Sequence, residues 1–69
     1  MSSPVREQLE SLVAQMVERG ILYEEAQREF EKRFIACVLA RHDGNLCRAA
    51  TALGIHRNTL TRKIREYGL

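Results

Sequence analysis

Sixty-nine residues with a net charge of +2 allow one domain at most, taken here as residues 1–69. A chain this short buries only about 60% of its unfolded surface, so a disulfide framework, a metal or a partner subunit is expected to add stability. No apolar run nears the ~20 residues of a membrane span, Met1-Ser2-Ser3-Pro4 lacks the plan of an export signal, and Cys37 and Cys47 lack zinc-site spacing. These features predict a cytoplasmic chain with no metal, reduced cysteines buried or half-buried on helices, and an oligomer as the stabilising device.

Taken in order, Ser3-Pro4 offers an N-cap followed by proline at the first helical position. Val5, Leu9, Leu12, Val13, Met16 and Val17 then recur on one helical face, with Arg6, Glu7, Glu10, Gln15 and Glu18 opposite. Gly20 marks the stop, so the first helix is predicted over residues 4–19. The second begins near Tyr23-Glu24-Glu25, whose carboxylates suit a helix N-terminus, and runs to His42 before Asp43-Gly44. Leu22, Ala26, Phe30, Phe34, Cys37, Val38 and Arg41 share one of its faces. Ile35 and Leu39 add another in the C-terminal half alone. A helix with two apolar faces has two neighbours: the first helix or a second subunit on one side, and the rest of the chain on the other.

Asn45 is a suitable N-cap for a third helix that turns Leu46, Ala49, Ala50 and Leu53 inward. Gly54 permits a tight turn, with positive φ available to it. The fourth helix runs from His56 or Arg57 to Tyr67, with Leu60, Ile64 and Tyr67 as its inward stripe and Gly68 at its end. The fold class is therefore all-α, four helices without a strand. Residues 1–43 form two N-terminal dimerisation helices and residues 44–69 a helix-turn-helix.

Charge divides at the same boundary. Residues 1–43 hold six Lys/Arg against eight Asp/Glu, whereas residues 44–69 hold five against Glu66 alone. The C-terminal part is the half that attracts a polyanion. In a helix-turn-helix the second helix enters a DNA major groove with its first residues on base edges. The outward set here is His56, Arg57, Asn58, Thr61, Arg62 and Arg65. Arg57 can chelate a guanine edge; Asn58 suits an adenine or a phosphate; His56 suits a base, the backbone or a helix cap. Thr59, Thr61, Arg62 and Lys63 suit phosphate oxygens, with Arg65 on the same backbone-facing side.

Gly44-Asn45-x-x-Arg48-Ala49-Ala50-x-x-Leu53-Gly54-Ile55-x-Arg57-x-Thr59-Leu60-x-x-Lys63 resembles the Fis family signature, shared by nucleoid-associated Fis and the DNA-binding tails of NtrC-type activators. The segment Arg57 to Lys63 is closest to the NtrC side. The resemblance covers residues 34–69, and the first helices agree only in kind. It implies a homodimer in which the first two helices pack as an intersubunit core, here Leu9, Leu12, Val13, Met16, Phe30, Phe34 and Val38. It further implies paired recognition helices in successive major grooves of double-stranded DNA, with bending. By position, Arg57 is the main base reader; His56, Thr61 and Arg62 neighbour it; Asn45, Cys47 and Thr59 lie where helix N-termini meet phosphates. His56 and Thr61 depart from the residues usual in Fis, so a different target sequence is expected.

An enzyme is not expected. His42-Asp43 is the one acid–base neighbour pair, and it falls at a helix end without a nucleophile. No cofactor, small-molecule substrate or membrane partner is implied. The alternatives are a helical dimerisation or adaptor module, and the DNA-binding tail of a larger activator.

Overall fold

The computed structural model describes residues 3–69 and contains α1 (Ser3–Glu18), α2 (Tyr23–Arg41), α3 (Leu46–Leu53) and α4 (Arg57–Tyr67). Among the described residues there is no strand, and the all-α expectation holds with helix ends within a residue of those the periodicity gives. The cap expected from the Ser3 side chain lies outside the described residues.

The junctions are built by local backbone chemistry. After α2, the amide of Gly44 bonds the Leu39 carbonyl at 2.9 Å, and Asp43 and Gly44 both take positive φ, 53° and 77°. That reversal delivers Asn45 as the α3 cap. After α3, Gly54 sits in the left-handed region (φ 72°), and the amide of Ile55 returns to the Ala50 carbonyl at 3.1 Å. This is the hydrogen-bond closure of a glycine C-terminal cap, and it turns the chain sharply into α4.

The core lies where α2, α3 and α4 meet. Among the described residues Ile35, Ala49, Ala50 and Leu60 are the buried side chains, with Val38, Leu39, Leu46, Leu53, Ile55, Ile64 and Tyr67 packed around them. The two alanines favour close approach of α3 to its neighbours, because at those positions α3 itself contributes only a methyl. The Ile35–Leu39 face of α2 thus meets the helix-turn-helix. Val38, expected at a subunit interface, is half-buried against this core.

The other face of α2 and the stripe of α1 are uncovered. Leu12 is 54% exposed and Phe30 58%, with Leu9, Val13, Val17 and Phe34 also open, and only Met16 of the predicted α1 set is half-buried. Substantial helix packing joins α2 to α3 and α3 to α4, and α1 has nothing comparable. The radius of gyration is 13.7 Å, whereas a compact chain of this length has about 11 Å. The cysteines need correction: Cys37 and Cys47 are both exposed. Cys37 lies about 200° round the helix from Ile35, on the uncovered face. Cys47 lies in the first turn of α3.

Candidate nucleic-acid interface

The basic C-terminal part of the chain contains two helix N-termini, each closed by one side chain. Asn45 Oδ1 accepts the amide of Arg48 at 3.0 Å, as its position before α3 predicts. His56 Nδ1 accepts the amide of Asn58 at 3.0 Å. Of the three roles open to His56, the structure therefore supplies the cap, which leaves Nε2 as the ring atom free for a partner. An α-helix has four N-terminal amides without helical acceptors. Here Leu46, Cys47, Arg57 and Thr59 keep amides with no acceptor among the described residues. Such groups carry the positive end of the helix dipole and suit anionic oxygens.

The arginines of this part of the chain are open as well. Arg57, Asn58, Arg62 and Arg65 are exposed, and so are Asn45, Cys47 and His56; Thr59 and Thr61 are half-buried. The Thr61 hydroxyl donates to the Arg57 carbonyl at 3.0 Å, so toward a partner it offers lone pairs and a methyl rather than its proton. Arg48, exposed in the first turn of α3, adds a further cation. Among the described residues, none of Arg48, Arg57, Arg62 and Arg65 pairs with a carboxylate. Unpaired guanidiniums and unsatisfied helix amides are both groups that suit phosphates and base edges.

Lys63 is placed differently from the expectation. Its ammonium is ion-paired with Glu31 Oε1 on α2, and both side chains are about three-quarters buried. Tyr67, one turn further on, donates its hydroxyl to Glu31 Oε2 at 2.7 Å, and the Arg28 guanidinium lies 6.0 Å from the Tyr67 ring centre. The hydrogen bonds from Lys63 and then Tyr67 hold the Glu31 carboxyl below its ordinary range. The bond to Glu31, followed by burial, pushes the Tyr67 phenol upward. Lys63 is thus a strut between helices. Glu31 is the residue sequence reasoning missed. The available signal was its spacing, four residues before Ile35 on the stripe that faces α4.

Among the described residues no group of His, Cys, Asp and Glu could hold a metal ion, and no helix is long and apolar enough to cross a membrane. Residues 26–67 match the family described as bacterial regulatory protein, Fis family. A protein of Xylella fastidiosa named as a Fis-like DNA-binding protein is 43% identical over 97% of this chain and 81% of its own length. DNA-binding protein Fis of Vibrio cholerae is 34% identical over 94% of this chain and 68% of its own. The DNA-binding transcriptional regulator NtrC of Escherichia coli is 38% identical over 86% of this chain but only 14% of its own length. No solved structure matches the chain. The matched names are those of DNA-binding proteins and regulators, not enzymes, in keeping with the absence of catalytic machinery expected from the sequence. From the signature around Gly54 to the capped basic tip of α4, and by these matches, the chain belongs to the Fis family of bacterial regulatory proteins.

Proposed function

We propose that the chain is a homodimeric transcriptional regulator that reads double-stranded DNA with α4. The observation that carries this reading is the tip of α4, where exposed Arg57 and Asn58 open a helix capped by His56 whose Arg57 and Thr59 amides have no acceptor among the described residues. In a major groove, Arg57 chelates guanine O6 and N7 and Asn58 faces the neighbouring base. Thr61 reads the next edge through its methyl, and His56 Nε2 donates to a base or a phosphate. Arg62, Arg65 and Arg48, with the amide ends at Asn45, Cys47 and Thr59, clamp phosphates on either side. The relatives named for DNA binding support the same partner. Within the cell this assigns the protein to the nucleoid, in the cytoplasm.

Dimerisation rests on the uncovered apolar faces. The accessible surface of the chain is 5746 Å², against about 4,400 Å² for a compact monomer of its mass. An excess of about 1,300 Å² exceeds the ~800 Å² that each partner buries in a standard interface. Residues 1–43 form that interface through Leu9, Leu12, Val13, Met16, Phe30 and Phe34, with Val38 at its edge. Residues 44–69 form the reading head. Two heads related by a dyad engage successive grooves roughly 34 Å apart and bend the duplex where their spacing is shorter. An adaptor would use the same apolar faces, but it gives the unpaired arginines no partner. The match to a short part of NtrC fits this same head serving as the tail of a larger activator.

The test is selection from a random duplex library followed by sequencing of the bound fraction. A motif with two-fold symmetry and half-sites one helical turn apart is expected. A lone half-site, or no enrichment over input, overturns the reading.

A further inference from the structure

Lys63 belongs to the signature of the basic helix, yet it does not stand with the other cations. It shares the stripe of Leu60, Ile64 and Tyr67 and turns toward α2, about 100° round the helix from Arg62. Its ammonium meets Glu31 Oε1, with 26% of the lysine side chain and 27% of the glutamate exposed. The other carboxylate oxygen accepts from Tyr67. One acidic side chain on α2 therefore holds two positions one turn apart on α4.

We propose that Glu31 is a specificity-determining positioning residue, which withholds the Lys63 ammonium from DNA phosphates and so limits sequence-independent binding by α4. This rests on the DNA-binding reading above. Every lysine free to seek phosphate raises affinity for all duplexes alike, because a phosphate contact carries no base information. An exposed Lys63 would be a fifth cation beside Arg48, Arg57, Arg62 and Arg65. Pairing it inside the fold keeps the charge as a tether for α4 and leaves the outward set of guanidiniums to engage DNA.

The experiment is titration of a random-sequence duplex over a series of salt concentrations. It uses the parent, Arg62→Ala, Lys63→Met, Glu31→Gln and the double variant Glu31→Gln/Lys63→Met, each checked for helical content. Each phosphate contact adds about 0.9 to the slope of log affinity against log salt. Arg62→Ala is expected to lower the slope by about that step, and Lys63→Met to leave it at the parent value. Glu31→Gln keeps an acceptor for Tyr67 but frees Lys63, so its slope steepens by about 0.9 and its affinity for random duplex rises several-fold. The double variant returns to the parent slope. If Lys63→Met lowers the slope as Arg62→Ala does, Lys63 already touches phosphate and the inference is wrong. A Glu31→Gln slope equal to that of the parent overturns it as well. Should the parent bind no duplex at any salt, the DNA reading itself fails and takes the inference with it.

Discussion

The Tyr67 hydroxyl donates to Glu31 Oε2 at 2.7 Å across 36 positions of sequence, the contact that ties the end of α4 back to α2. With Lys63 on Oε1, it gives the fold a stability that depends on pH in a defined direction. Lys63, then Tyr67, and more weakly the charge of Arg62 favour the ionised Glu31 carboxylate. Its contribution is complete above the ordinary value of 4.5 and is lost as pH falls through the lower folded value. Tyr67 behaves oppositely. Its folded phenol is raised above 10.0, chiefly by Glu31 and against the pull of Arg28, so that contribution is complete below 10.0 and lost as pH climbs through the raised value. Urea midpoints for the parent and Glu31→Gln are expected to differ near neutrality and converge on acidification. Parallel curves would mean that the contact carries no linkage.

The core predicts where the chain tolerates least. Leu60 is fully buried at the meeting point of three helices, with Ile35, Ala49 and Ala50 as its buried neighbours. Truncation to alanine leaves a cavity that so small a core fills poorly, costing about 2–5 kcal/mol. Chemical denaturation of Leu60→Ala is expected to register a loss in this range, enough to leave much of the chain unfolded. A cost below about 1 kcal/mol would show that α4 is not anchored through this side chain.

Gly54 tests the turn. A methyl group there would meet nothing within 4 Å, so crowding is not the issue. Its φ of 72° is, since a side chain in the left-handed region costs about 1–2 kcal/mol. Gly54→Ala is expected to lose about that much while keeping its helical circular dichroism. A neutral substitution would mean that the turn relaxes to negative φ without moving α4.

Much of this architecture can be read along the chain because its causes are local. Asn45 caps α3, Gly54 and Gly68 close helices with positive φ, and the Leu60–Ile64–Tyr67 spacing sets the inward stripe of α4. Each depends on a few neighbouring residues, within reach of periodicity and capping rules. His56 was ambiguous because an imidazole before a helix can serve either the helix or a partner, and only geometry distinguishes the two. Glu31 and its pairing with Lys63 are not legible because the contact joins distant segments, and a charged residue on an apolar stripe reads locally as a boundary. Cys37 departs from expectation for a different reason: its face is apolar, but within one chain nothing covers it.

The same exposed face gives a clean test of assembly. The Phe30 and Phe34 rings lie 5.4 Å apart, tilted by 39°, on the surface of α2, and Leu12 stands open on α1. An aspartate at Leu12 or Phe30 leaves the α2–α3–α4 core untouched, since neither side chain belongs to it. Across a subunit interface the same carboxylate would be buried without a partner. Light scattering is expected to give a dimeric mass for the parent and a monomeric mass for Leu12→Asp and Phe30→Asp, with the helical signal of α2–α4 retained. A variant that remains dimeric at micromolar concentration removes its position from the interface.

Base reading makes a separate demand on Arg57. Its side chain is exposed, its carbonyl accepts from Thr61, and His56 fixes the first turn by capping Asn58, so the guanidinium starts from an ordered helix end. A preorganised arginine loses less entropy when it chelates a guanine, and removing it leaves one base edge unread. Arg57→Ala is therefore expected to cost about 1–3 kcal/mol on a selected site and to flatten preference at one position of each half-site. Affinity for random duplex should fall much less, since the phosphate clamps remain. Arg62→Ala is the contrast: it should weaken both duplexes alike and lower the salt dependence by about one contact. Competition titrations with matched and single-substituted sites separate the two patterns. Equal losses on every duplex for Arg57→Ala would reassign it to the phosphate set and leave Asn58 and Thr61 as the readers.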